Sequence, residues 1–232
     1  MIEAKNLYFK YEEKFVLNNV NLKIKEGSFT AIIGSNGSGK TTLAKHFNAL
    51  LTPAKGEVIV DSLNTKKNEF EVRKKVGFVF QNFEDQLVHS VVEDDVAFGL
   101  ENLELPNKEI MQKVKVTLTK LKIENLAKAN VNMISFGQKQ LVALAGILAM
   151  TPKYIVFDEP TTMLDAKNKN NLLNIMGDLN KKDKITVILI TNVLDDLKYA
   201  KNVIVLKNGF VIFNEDKSKL SEKILKKAGL ND

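Results

Sequence analysis

Phe29-Thr30-Ala31-Ile32-Ile33 runs directly into Gly34-Ser35-Asn36-Gly37-Ser38-Gly39-Lys40-Thr41-Thr42, and a helical pattern, Leu43-Ala44-Lys45-His46-Phe47-Asn48-Ala49-Leu50, follows. The octapeptide from Gly34 to Thr41 fits the phosphate-binding pattern Gly-x-x-x-x-Gly-Lys-Ser/Thr. Its flanks matter as much as the loop. A strand aims the loop, and a helix N-terminus supplies N–H groups that have no partner inside the helix. Gly37 and Gly39 let the backbone curl so that several N–H groups face one anion. Lys40 is then placed to reach β- and γ-phosphates, and the Thr41 hydroxyl to ligate Mg²⁺. A glycine-rich turn with a chance lysine would account for the loop alone, but not for strand, loop and helix in that order.

The chain has 232 residues, 44% of them hydrophobic, enough for one large domain with a sizeable core. No apolar stretch has the length of a membrane span. Leu141–Met150 and Ile185–Ile190 suit a buried helix and a buried strand instead. Met1-Ile2-Glu3-Ala4-Lys5 lacks the apolar region of a signal peptide, and the absence of cysteine excludes disulfides and thiolate metal sites. The default expectation is a soluble intracellular protein. A net charge of +6 raises the question of nucleic acid. Arg73, however, is the only arginine, and arginine is the usual bidentate reader of guanine. The lysine excess therefore reads as surface composition with a modest contribution to contacts at an anionic membrane surface, and no nucleic-acid partner is expected.

From Ile2 to Ile24 short apolar runs, Leu7-Tyr8-Phe9, Phe15-Val16-Leu17 and Val20–Ile24, predict short strands separated by turns. Glu57–Val60 and Val76–Phe80 read as further strands. Helical periodicity takes over between Asn82 and Met150, as an insert in an α/β core. The core resumes with strand Tyr154–Phe157, a helix over Lys167–Asn180 and strand Thr186–Ile190. Val203–Leu206 and Phe210–Phe213 pair as a hairpin through Asn208-Gly209, and a basic amphipathic segment covers Lys217–Ala228. One domain is expected over 1–232: a core with a β-subdomain from 1–81 and 151–216, a helical subdomain at 82–150, and a helical tail at 217–232.

Tyr154-Ile155-Val156-Phe157-Asp158-Glu159 is an apolar run ending in two acids. It fits a buried parallel strand whose carboxyl end opens on a ligand crevice. Asp158 is placed to hold Mg²⁺ directly or through water. Glu159, one residue on, points elsewhere because strand side chains alternate, and can polarise an attacking water.

With these acids in place, the chain resembles the ABC-type ATPases. Ile134-Ser135-Phe136-Gly137-Gln138 is similar to that family's signature sequence; Gln81 stands where it has a glutamine loop, Asp165 where it has its D-loop aspartate, and Tyr11 where it stacks an aromatic on adenine. The resemblance implies a P-loop NTPase (RecA-like) α/β core with an N-terminal antiparallel β-subdomain and an inserted α-helical subdomain. It implies ATP and Mg²⁺ as ligands: Tyr11, Gly34, Ser35, Asn36, Gly37, Ser38, Gly39, Lys40, Thr41 and Thr42 on ATP, and Thr41, Gln81 and Asp158 on the metal. Glu159, Gln81 and Asn192 fall at catalytic positions. Ser135 can also cap the helix that follows, whose N-terminus would face a γ-phosphate. In this family that phosphate belongs to a partner subunit, so Ser135, Phe136, Gly137 and Gln138 serve the partner's ATP and two cassettes close head to tail.

Val79–Leu87, Val92–Asn102, Gln138–Gln140 and Ala145–Met150 resemble the ATPases of energy-coupling factor (ECF) transporters, and more the first than the second of their two paired forms. That implies a sister ATPase, a membrane coupling subunit whose helices dock beside Gln81, a substrate-binding membrane subunit, and a peripheral position on the cytoplasmic face of the cell membrane, powering uptake of a vitamin or transition-metal ion. Another importer type is the alternative. A nucleic-acid-acting cassette and a non-hydrolysing nucleotide sensor are the other classes weighed. Three positions depart from the family pattern: Asn192 replaces a histidine, Phe136 a glycine and Leu141 an arginine. Neither His46 nor His89 lies where it obviously substitutes. Asparagine donates and accepts hydrogen bonds but carries no proton, so impaired hydrolysis at this chain's own loop is the further expectation.

Overall fold

The computed structural model describes residues 1–230. In chain order the elements are β1 (Ile2–Tyr11), β2 (Lys14–Ile24), β3 (Phe29–Ile33), α1 (Lys40–Phe47), β4 (Lys55–Val60), β5 (Leu63–Asn64), α2 (Glu69–Lys75), β6 (Val76–Val79), α3 (Val92–Glu101), α4 (Asn107–Lys120), α5 (Phe136–Ala149), β7 (Tyr154–Asp158), α6 (Ala166–Lys181), β8 (Thr186–Thr191), β9 (Asn202–Lys207), β10 (Phe210–Asp216) and α7 (Glu222–Ala228).

The strands β3, β7 and β8 are apolar almost throughout and buried along their whole length, as strands covered on both faces must be. They form the middle of a six-stranded sheet ordered β10-β9-β3-β8-β7-β6, parallel except for the antiparallel β10. Period-two alternation divides their side chains between two cores. Phe29, Ala31, Ile33, Ile155, Phe157, Val187 and Leu189 join one with α3, α4, α5 and α6. Ile32, Tyr154, Val156, Ile188 and Ile190 join the other with α1 and the strands β1, β2 and β4. Each fully buried Phe, Ile, Leu or Val contributes about 2 kcal/mol. In α4 the buried residues Ile110, Val114, Thr117 and Leu118 follow the helical repeat, leaving an outer face of lysines and polar residues with exposed Met111 and Val116.

The second sheet is antiparallel, ordered β2-β1-β4-β5. The expected short N-terminal runs are in fact two long strands. Register shifts interrupt their pairing, and Asn6 and Asn19 adopt left-handed backbone there. The Asn21 side chain accepts from the Asn6 N–H and donates to the Asn19 carbonyl, so polar residues that read as turns are bulges inside strands. The helix after the glycine loop also differs. It starts at Lys40 and stops at Phe47, with Ala49 left-handed, so Leu50 lies outside it. The tail holds a single short turn at 217–219 and the two-turn α7, ended by left-handed Gly229; positions 231–232 of the expected tail lie outside the described residues.

The turn between β9 and β10 reaches the glycine loop. Gly209 N–H donates to the Ser38 carbonyl, and the Gly209 carbonyl accepts from Asn18 N–H. Gly209 has φ +80°, and a Cβ there would sit 2.2 Å from the Val16 carbonyl oxygen. Gly209→Ala is expected to destabilise the fold by about 2 kcal/mol or more, read as a lower urea midpoint at unchanged m-value.

Candidate functional site

Parallel register sets the site. Ile33 pairs with Thr191 and Asp158 with Ile190, so the chain leaves β3, β7 and β8 at one level. The glycine loop, the acid pair and Asn192 therefore meet at the carboxyl edge of the sheet, where a parallel sheet opens its crevice. Gln81 joins them from just beyond β6.

Gly34, Gly37 and Gly39 all have positive φ, and α1 begins immediately after Gly39. A Cβ on Gly34 would lie 2.3 Å from the Leu206 carbonyl oxygen, so β9 presses directly on the loop. Lys40 is buried beneath the loop; its Nζ donates to the carbonyls of Gly34 (2.9 Å) and Ser35 (3.2 Å) and stands 3.7 Å from Glu159 Oε1. Burial pushes its pKa down, and Glu159 and Asp158 pull it back up. The Thr41 hydroxyl donates to Asp158 Oδ1 at 2.8 Å. Asp158 is itself buried, which raises its pKa, while the Thr41 hydrogen bond acts the other way. Gln81 Nε2 donates to Glu159 Oε2 at 3.3 Å. A cavity of about 340 Å³ opens over these groups, walled by Val16, Asn36, Gly37, Lys40, Thr42 and Glu159 among others.

Glu159 is aimed differently from the sequence expectation. Strand alternation does not turn it; it lies past β7 with φ +46°, and from this left-handed residue its carboxylate stands beside Lys40. Asn192 Nδ2 donates to Asn36 Oδ1 at 3.1 Å, tying the segment after β8 to the loop. His46 is fully buried in α1, donating from Nδ1 to the Thr42 carbonyl and packing edge-on against Phe9. Burial lowers its pKa to about 4. Tyr11 stands half-exposed at the end of β1 with its ring edge on Phe9, and Val16 lines the cavity wall on the β1–β2 side.

Ser135, Phe136, Gly137 and Gln138 form the tip of α5. Ser135 accepts from Gln138 N–H, and the Gln138 side chain accepts from Ser135 N–H, a reciprocal cap. The Phe136 ring turns inward against buried Phe83, centroids 4.5 Å apart. Asp165 caps α6: its Oδ1 accepts from Asn168 N–H at 2.9 Å, and that hydrogen bond holds its pKa down. Asn168 in turn lies against Gly137, 3.3 Å from where a Cβ would be.

The ABC transporter family model matches residues 17–162, from within β2 through the acid turn. The chain belongs to the ABC transporter family. The ECF transporter ATP-binding protein EcfA1 of Clostridium perfringens is 46% identical to this cassette, over 90% of this chain and 77% of the relative. The solved structure of cbiO1 from Clostridium perfringens, described as part of the ABC transporter complex cbiONQ, superimposes with a TM-score of 0.87 at 35% identity, covering 99% of this chain and 94% of that one. A dimeric, post-hydrolysis structure of the ATP-binding cassette MJ0796 bound to ADP and Pi gives 0.82 at 32% identity, covering 93% and 98%. The cassette is thus an ABC ATPase, related at high identity to ECF transporter ATPases.

Three groups around this ABC site escaped the sequence reading: buried Gln140 and Asp196, and the partly buried Lys169. Gln140 follows the signature closely enough to be quoted with it, yet nothing local shows where its amide goes. Lys169 and Asp196 are too far apart in sequence for any pattern to pair them.

Proposed function

We propose that this cassette is the ATP-hydrolysing subunit of an ECF-type importer, working on the cytoplasmic face of the membrane with a sister ATPase, a membrane coupling subunit and a substrate-binding membrane subunit. The observation that carries the chemistry is the Thr41–Asp158 contact of 2.8 Å directly under a loop of inward-curled N–H groups with Lys40 at its base. Hydroxyl and carboxylate oxygens are the hard donors that Mg²⁺ takes, so Thr41, Asp158 and the neighbouring Gln81 fit it. A Mg²⁺ held by these residues would supply charge neutralisation to the triphosphate. The loop N–H groups from Ser35 to Thr42 and Lys40 grip the triphosphate, and Tyr11 offers an exposed ring for adenine. Glu159, steadied by Gln81, orients water for in-line attack on the γ-phosphorus. The partner's signature tip closes the site, as this chain's Ser135–Gln138 tip closes the partner's.

Loss of the γ-phosphate removes the contact between the two halves, and the change passes through Gln81 to the coupling subunit. A groove of about 220 Å³ in the segment that follows Gln81, lined by Leu87, Val88, His89, Asn132 and Lys139 and rimmed by the Glu84–Lys139 ion pair, supports docking on the helical subdomain. Reconstituted complex captured through this chain should contain a membrane coupling subunit and hydrolyse Mg·ATP; a complex without either would refute the assignment.

Asn192 favours a second feature: slow turnover at this chain's own loop. Its amide bonds Asn36 but cannot carry a proton. Because Asn192 belongs to this chain's site and Phe136 to the partner's, a heterodimer would have two unequal sites, whereas a homodimer would carry both departures twice. Asn192→His is expected to raise single-site turnover in the assembled pair by roughly tenfold or more, and an unchanged rate would count against this assignment.

A further inference from the structure

The turn that carries Glu159 is strained at its first residue, since a glutamate at φ +46° persists only where its surroundings hold it. Two buried groups hold this turn from opposite sides. On one side Gln140, on α5, donates from Nε2 to the Pro160 carbonyl at 2.7 Å. It is 3% exposed, so the carbonyl has no easy exchange with water. On the other, Asp196 is fully buried, and its Oδ2 accepts from the hydroxyls of Thr161 (2.5 Å) and Thr191 (2.8 Å). Its Oδ1 has no aligned hydrogen-bond donor but stands 2.7 Å from Lys169 Nζ, an ion pair in form. Lys169 lies on α6, one helical turn after its cap Asp165.

One carboxylate thus joins the acid turn, the strand end before Asn192 and the helix after Asp165. A buried charge is costly to retain, and an apolar residue would fill the space at lower cost, so stability alone does not account for it. Resting on the nucleotide reading above, we infer that Gln140 and the Lys169–Asp196 pair are positioning residues for Glu159. They fix the turn between the signature helix and the helix that follows Asp165. The placement of this chain's carboxylate is thereby tied to α5, whose tip faces the partner's nucleotide. An ångström-scale slip of a reacting group costs about a hundredfold in rate, which sets the scale of the effect.

The test uses complex purified through this chain. Gln140→Met and Lys169→Met are each expected to lower kcat about tenfold or more, with KM for Mg·ATP and affinity for a fluorescent ATP analogue within about twofold. Lys169→Arg should restore most of the rate, since it returns the charge. The double variant should lose less than the product of the two single losses, because both act on one turn. Unchanged kcat in both single variants, or a rate that simply tracks the folded fraction by circular dichroism, overturns the positioning role. A wild-type complex that fails to bind or hydrolyse Mg·ATP would instead sink the nucleotide reading on which it rests.

Discussion

Lys40→Ala is expected to weaken Mg·ATP binding by about a hundredfold or more, measured by titration with a fluorescent ATP analogue. The lysine is buried under the loop, within hydrogen-bond reach of the Gly34 and Ser35 carbonyls. Charge-assisted hydrogen bonds to phosphate oxygens are among the stronger protein contacts, and in a site screened from water they gain further. Alanine also leaves those two carbonyls without their donor, which loosens the curl that aims the N–H groups. Lys40→Arg separates the two effects: it keeps the charge, but its planar fork does not fit where a compact ammonium sits. It should recover the urea midpoint more than the affinity. Wild-type affinity in Lys40→Ala would refute the assignment of this loop to the triphosphate.

Glu159→Gln is expected to lower kcat by about two to four orders of magnitude with no loss of nucleotide binding. The amide keeps the side-chain shape and can still meet Gln81, now 3.3 Å away, but cannot draw a proton from water. Binding energy then closes the pair and no hydrolysis reopens it. The variant pair should elute from a sizing column as a closed, ATP-bound dimer. Free dissociation in the presence of ATP would contradict the role. Glu159 also pairs with Lys40 at 3.7 Å, so the variant removes the nearest counter-charge of that ammonium. Tighter nucleotide binding is an expected side result, because the freed lysine is more available to phosphate.

The two results read different parts of one geometry. Lys40 acts through a local motif, and its neighbours in sequence are its neighbours in space. Glu159 acts only because β7 lies two strands from β3 in the sheet, on the far side of β8, and because its own backbone turns left-handed. That turn was not legible in the sequence: alternation was the natural expectation, and the local conformation overrode it. The N-terminal strands make the same point. Asn6 and Asn19 have the composition of turn residues, yet pairing with neighbouring strands absorbs them as bulges.

What the sequence alone determined is the set of features whose physics is local: the glycine loop between a strand and a helix, the fully apolar strands of a parallel sheet, the Ser135 cap, and the order of the motifs along the chain. Each depends on residues a few positions apart, so its pattern is visible without the fold. Only the tertiary structure decided which groups converge. Parallel register brings Thr41 to Asp158 and Asn192 to Asn36. Close packing of α5 and α6 against the sheet brings Gln140 to the turn behind Glu159 and Lys169 to the Asp196 carboxylate that holds it. Contacts of that kind join residues far apart in the chain, and their partners are chosen by burial and sheet order, which no short window of sequence contains.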